Sequence, residues 1–310
     1  NSSNVGNNSP TYTISGVARN DNGSKISCIV SNGKADPVTS KQVELNVENI
    51  PPKIKKDPRD ERVNEGETVT FSVEAGGTEL NYKWLRNGNP INSATSAEYK
   101  LIASSRDDGA RFQCVVNNDV GEAISKAAIL TVLYRVTYVK KEGNGYIPPK
   151  THYAQGESVP LPILTKDGFE YLGWSIDSDD GTAEYGPDDT RHTMESKKVT
   201  FYAVWTIKPP KIIKHPSDIR VKEVEEEATF SVVAEGIGLK YQWYCIHPAQ
   251  TKGFPIDGAE SANYSDNVLY DENDGSQYYC VVSNEAGPVT SDKATLTVLY
   301  KVSYDGNGAT

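Results

Sequence analysis

Long apolar runs, paired cysteines and cofactor loops are all missing from this 310-residue chain, and each absence removes a class of function. No stretch approaches the ~18–20 apolar residues of a membrane-spanning helix, and no charged-then-apolar signal peptide opens the chain. The four cysteines, Cys28, Cys114, Cys245 and Cys280, form no CxxC pair, and His152, His192, His215 and His247 form no HxxxH. Structural zinc needs four convergent soft ligands, usually paired at short spacing, so these residues do not read as a zinc site. There is no G-x-S-x-G elbow, no phosphate loop and no GxGxxG opening a helix. The reading therefore names no catalytic, cofactor-binding or metal residue and expects no enzyme.

Apolar residues are also scarce. They make up 37% with the 18 tyrosines counted, and about 39% with glycine taken in place of tyrosine, against the ~45–50% usual for globular domains on that count. Such a chain suits several small domains rather than one large core. Its net charge of −10 works against wrapping nucleic acid or lying on an anionic membrane. The abrupt close in YDGNGAT leads to the expectation of a piece of something longer.

What is present is a repeat. PPKIKKDPRDERV (51–63) recurs as PPKIIKHPSDIRV (209–221), and TVTFSVEA (68–75) as ATFSVVA (228–234). YKWLRNG (82–88) recurs as YQWYCIH (241–247), and DDGARFQCVVNNDVG (107–121) as NDGSQYYCVVSNEAG (273–287). AAILTVLY (127–134) returns as KATLTVLY (293–300). The cysteines stand 166 residues apart but the tryptophans only 159, which places seven extra residues just after the second tryptophan. A partial third copy, DNGSKISCIVSNGKADPVTSKQVELNV (21–47), carries Cys28 but no tryptophan. Alternation such as Val69, Phe71, Val73 inward against Thr70, Ser72 outward has the strand period of two, and the Asn/Gly turns after the cysteine strands read as hairpins. About seven short strands in 80–90 residues predicts an antiparallel sandwich.

These residues resemble the immunoglobulin superfamily, fully over 52–133 and 209–299 and in part over 10–47. The resemblance implies that Trp84 and Trp243 are the buried strand-C tryptophans and Cys114 and Cys280 the strand-F cysteines. Phe112 and Tyr278 fall at the tyrosine corner, where only Tyr278 keeps a hydroxyl to tie that corner to backbone; Phe112 and Ile26 lack it. The strand-B cysteine is replaced by Val73 and Val232, so the inter-sheet disulfide is absent and Cys114 and Cys280 become buried, inert thiols. Cys245, two residues past Trp243, should oppose Tyr278, leaving its sulfur diagonal to that of Cys280. Diagonal Cβ atoms are ~7 Å apart against the ~3.8 Å a bridge wants, so free thiols are expected. Lack of the bridge resembles bacterial cell-surface repeats.

Residues 135–206 depart from this pattern. VTYVKKEGNG, KDGFEYLGW (166–174) and FYAVW (201–205) resemble the Listeria–Bacteroides repeat, which implies a small β-grasp-like module. Lys140–Glu142 is an insertion relative to the terminal YDGNG, and Trp174 and Trp205 are expected in the small core, with a sugar-stacking platform as the alternative. The expected organisation is mainly β: a partial immunoglobulin-like domain at 1–47 (strands E to G only), full ones at 48–134 and 207–299, the repeat at 135–206, and a further repeat starting at 300–310. Residues 1–47, without strands B and C, are expected to be the weakest region.

Remaining candidates have structural readings. Asp177, Asp179 and Asp180 before Gly181 resemble a calcium loop faintly, but the position-5 ligand and closing glutamate are missing, and a solvated hairpin is favoured. Asp107-Asp108-Gly109 and Asp271–Asp274 read as turn residues, and Glu223–Glu227 as a charged strand edge. The sequons at Asn22 and Asn263 matter only in a eukaryotic secretory pathway. The resulting expectation is a stalk of a bacterial surface protein, extracellular or secreted, monomeric, without cofactor, metal or membrane insertion. Its Pro51-Pro52 and Pro209-Pro210 linkers are short and stiff, so scattering is expected to give a rod with a radius of gyration beyond the ~20 Å of a globule this long. The alternative is an adhesin binding host or cell-wall protein or glycan through its loops or sheet edge.

Overall fold

The structure, a computed structural model, describes Val5, residues 8–222, 227–266 and 273–300, and Val302. Glu223, Glu225 and Glu226 of the acidic run, Asp271 and Glu272 of the second corner, and the further repeat past Val302 lie outside the described residues. The chain divides into two compact units, Asn1–Arg135 and Val136–Thr310.

In the first unit, Asn81–Arg86, Arg111–Asn118 and residues 128–135 form one sheet, which Glu61–Asn64 joins in parallel. Thr68–Ser72 pairs with Glu98–Ile102 to build the opposing layer. The alternation foreseen for Thr68–Val73 holds: Val69, Phe71 and Val73 are buried and Thr70 and Ser72 exposed. Burying one face of each sheet is what drives the sandwich, and the core is aromatic at its centre. Phe71 stacks on Phe112 with ring centroids 4.6 Å apart, and Trp84 is fully buried with its indole N–H donating to the Ser96 carbonyl at 2.9 Å.

The second sandwich repeats this register. Trp243 opposes Cys280 as Trp84 opposes Cys114, and Cys245 opposes Tyr278 as expected. Phe230 stacks on Tyr278 at 4.4 Å, and the Trp243 indole donates to the Ser261 carbonyl at 2.9 Å. One detail of the repeat needs correction. Pro90 pairs with Leu85 and Pro255 with Tyr244, so the hairpin after the second tryptophan holds six extra residues, not seven. The seventh lies between Tyr264 and Asn273, where sequence comparison had no marker.

All four cysteines are free, with Cys114, Cys245 and Cys280 buried and Cys28 exposed. Burial pushes the Cys114 and Cys280 thiols up to about 11, against the opposing pull of a backbone hydrogen bond, and raises Cys245 as well. Thiolate is the reactive form, so these three should be slow. Thiol titration should find four reactive groups in denaturant, with no mass loss from a bridge, and a single fast one, Cys28, in the native protein.

The leading segment is thin. Lys25–Ile26 pairs with Val43–Glu44 and Ile29–Val30 with Val38–Thr39, and no described residue before Pro52 is buried. Among the described residues before Arg19, where strand E is expected, no strand forms. In the intact copies that strand pairs with strand B in the opposing layer.

In the second unit the repeat module precedes the sandwich. Val136–Val139 runs parallel to Val199–Tyr202 and Phe169–Ile176 antiparallel to Val199–Ile207, while Ser158–Pro160 pairs with Arg191–Thr193. Its core gathers Tyr153, Val159, Leu161, Leu164, Trp174 and Phe201.

Candidate functional sites

The acidic loop spends its carboxylates on the protein itself. Asp177 has φ +52°, its N–H donates to the Thr200 carbonyl, and its carboxylate accepts the Thr200 N–H at 2.7 Å. Asp179 pairs with Lys141, and Asp180 accepts the Thr182 N–H at 2.8 Å, which holds its carboxyl below the usual range. The three do not converge, and among the described residues no group of three His, Cys, Asp or Glu could hold a metal ion. The Lys140–Glu142 insertion is tied down too: Lys166 donates to the Lys141 carbonyl and pairs with Glu142 at 3.3 Å.

The aromatic letters of the repeat are packing parts. Trp174 is fully buried, its indole donating to the Pro162 carbonyl at 2.9 Å. Trp205 is half-buried over Gly143, where a Cβ would lie 2.4 Å from the ring, and donates to the Lys140 carbonyl. Tyr171, its cross-strand partner, lies 5.3 Å away between ring centroids. Trp174 thus presents no face to a sugar, and Trp205 has both the GNG loop and Tyr171 against it.

One titratable group inside this module was not read from the sequence. His192 is buried between Tyr185 and Phe201, and shares a 2.7 Å hydrogen bond between its Nδ1 and the Tyr185 hydroxyl. Burial lowers its pKa below 6.5, outweighing nearby Glu195 and Asp177. The folded state therefore binds its proton more weakly than the unfolded chain does. The linked stability is present above pH ~6.5 and is lost as pH falls below it. Denaturant midpoints of the module, followed by Trp174 fluorescence, should drop between pH 7.5 and 5.5, and His192→Gln should flatten that dependence.

At the corner of each sandwich the same place is solved with different chemistry. In the first, Arg86 pairs with Asp107 at 2.9 Å, and Asp107 accepts the Ser104 N–H and hydroxyl at 3.0 and 2.6 Å. In the second, Cys245 replaces Arg86, and the Tyr278 hydroxyl donates to the Asp266 carboxylate at 2.7 Å. Tyr278 was expected to tie the corner to backbone; the carboxylate, on the strand Asn263–Asp266 of the opposing layer, takes that hydrogen bond instead. Burial and Asp266 both raise the Tyr278 phenol, so it stays a donor. Asp108 and Asp274 confirm the turn reading, accepting the N–H of Val132 and of Val298 at 2.9 Å each. Asn22 of the first sequon holds the same position and accepts the Val47 N–H at 2.7 Å, while Asn263 is exposed on a strand paired with Ser231.

Sequence reasoning also passed over Tyr244 and Tyr279, a cross-strand pair stacked at 5.1 Å and 10°. The signal was their outward spacing, next to Trp243 and Cys280, where the first copy has Leu85 and Gln113.

Comparison with known proteins agrees with this architecture. Residues 51–118 match the immunoglobulin domain family, and residues 134–204 match the Listeria–Bacteroides repeat domain. The fold is that of tandem immunoglobulin-like sandwiches with a small β module between them. Among curated proteins, the muscle M-line assembly protein unc-89 of Caenorhabditis elegans is 26% identical over 320 residues, covering 89% of this chain and 4% of that protein. The peroxidasin homolog of Homo sapiens is 26% identical over 228 residues, covering 62% and 15%. Neural cell adhesion molecule 1-A of Xenopus laevis is 28% identical over 171 residues, covering 49% and 15%. The chain thus spans a small part of each relative. Among solved structures, the I-band fragment I67–I69 of titin aligns at TM-score 0.44 and 12% identity, over 80% of this chain and 99% of that one.

Proposed function

We propose that this chain is a spacer: a run of sandwiches and a grasp-like repeat in the stalk of a bacterial surface protein, holding a distal domain outward. The observation that carries it is a clamp found in both full sandwiches. The Asn118 side chain donates to the Ile50 carbonyl at 2.8 Å, and Asn284 donates to the Lys208 carbonyl at 2.8 Å. Ile50 and Lys208 each stand directly before a Pro-Pro pair, so the entering linker is tied to the sandwich it leads into. Proline already removes freedom from these linkers, and the clamp removes more. A connector serving only as a tether needs neither.

The use of side chains points the same way. Cys28 apart, the tryptophans, loop and corner carboxylates and thiols that could bind or react are buried or bonded within the fold. The relatives' names speak of muscle assembly in one case and cell adhesion in another, and both roles are compatible with arrays of sandwiches. The test is an array of glycans and extracellular-matrix proteins probed with the chain. No saturable binding is expected; saturable, salt-resistant binding would replace the spacer reading with an adhesin.

A further inference from the structure

Each full sandwich receives its linker through one residue that stands directly before Pro-Pro, Ile50 in the first and Lys208 in the second. The carbonyl of that residue is held alike in both, by Asn118 and by Asn284 at 2.8 Å. Its N–H is not. In the first sandwich the Ile50 N–H donates to the Thr78 hydroxyl oxygen at 3.0 Å, so a loop of the same sandwich closes the bond. In the second, the Lys208 N–H donates at 3.0 Å to the carbonyl of Gly168, in the repeat. Gly168 belongs to the Lys166-Asp167-Gly168 turn, which the Phe169 N–H closes by donating to the Lys166 carbonyl at 3.1 Å.

The loop residue differs to match. Gly76 opposes Lys53 as Glu235 opposes Lys211, so Ile237 holds the place of Thr78. Isoleucine has no hydroxyl to offer a linker amide. Its side chain lies instead on Gly168, where a Cβ would come 2.4 Å from Ile237 Cδ1 and 2.5 Å from Cγ1. Gly168 also has φ +76°, so backbone and packing both favour glycine there. The ladder of the repeat reaches this point without a gap: Phe169 pairs with Ile207, and the Lys208–Gly168 bond comes next. Lys208 therefore carries the last bond of the repeat and the first of the sandwich, and Pro209 restricts the backbone beyond it.

We propose that the loop 235–239 is a docking surface fitted to the K-D-G turn of a repeat, and that the repeat and the second sandwich move as one body. Modules joined through a modest interface ordinarily swing against each other. Here no residue is left between the two sets of bonds to absorb such a swing. The residue at this loop position then selects what stands ahead of a sandwich. Threonine closes the joint on its own linker, whereas isoleucine leaves the linker amide for a repeat turn and supplies the apolar contact that seats it. The inference goes beyond the spacer reading and does not rest on it, since an array that binds a ligand would hold the same joint.

The test uses the 310-residue chain with its exposed thiol removed by Cys28→Ser and spin labels at two exposed positions, Ser196→Cys in the repeat and Lys293→Cys in the sandwich. Distance measurement between the labels should give one narrow distribution. Ile237→Thr supplies the residue that the first sandwich carries at this place, and Ile237 is 39% exposed, so the core does not depend on it. That variant should broaden the distribution about two-fold or more and speed exchange of the Lys208 amide about ten-fold or more, with the amides of Tyr278 to Val282 unchanged. Distributions of equal width with isoleucine and with threonine, whether broad or narrow, overturn the proposal. So does a Lys208 amide that exchanges at the same rate in both.

Discussion

Gly173→Ala is expected to unfold the repeat module while leaving both sandwiches intact. Gly173 sits at φ +124°, and a Cβ there would lie 1.8 Å from the Tyr185 carbonyl oxygen. No side-chain rotation relieves that overlap, because both the added atom and the obstacle are fixed to backbone. The strand irregularity between Tyr171 and Gly173 exists to bring Trp174 and Tyr185 together, where Trp174 N–H donates to Tyr185 at 2.8 Å and Tyr185 N–H returns at 3.0 Å. Alanine must push these strands apart, losing that pair and the packing of Trp174 together. Strained backbone combined with core disruption is expected to cost more than ~3 kcal/mol, a large share of a small module's stability. A red-shifted Trp174 emission would report it. Gly186→Ala is the control, since its nearest neighbour would be a side-chain oxygen 3.8 Å away with no positive φ, and it should be silent.

Trp243→Ala should cost the second sandwich about 3–5 kcal/mol, the usual range for removing a large buried aromatic. The indole is fully buried, contacts Phe230 at 6.2 Å and Tyr264 at 6.3 Å between centroids, and loses its hydrogen bond to Ser261 when truncated. No disulfide backs up this core, so nothing holds the two sheets together once the centre is hollow. The Cys280 thiol gives a local readout: its reaction rate should rise sharply in Trp243→Ala while Cys114, in the other sandwich, keeps its slow rate. Equal acceleration of both would show that the sandwiches do not unfold separately.

Much of the fold was legible because the chain states it more than once. Two copies of the same strand pattern fix which residues face inward, and the Trp–Cys spacing leaves one register that buries both. The absence of the bridge was legible from Val73 and Val232 alone. What escaped were matters decided by the neighbour rather than the letter. Whether Tyr278 bonds backbone or carboxylate depends on Asp266, a residue standing where the first copy has Leu101 on the same strand. The division of the insertion into six and one needs strand pairing, which offsets between tryptophans and cysteines average over. Gly143 and Gly173 were read as motif letters; the ring of Trp205 and the carbonyl of Tyr185 are the reasons they must be glycine.

The central claim is that separate, disulfide-free modules bear tension along a spacer. Pulling the chain between its ends in a single-molecule force experiment tests it most directly. Three discrete unfolding events are expected, one for each sandwich and one for the repeat, with contour lengths of roughly 290–330 Å for each sandwich and about 240–260 Å for the repeat at ~3.3–3.6 Å per residue. Release lengths should be identical with and without reductant. Shortened steps that lengthen on adding reductant, or a single event releasing the whole chain at once, would contradict the account.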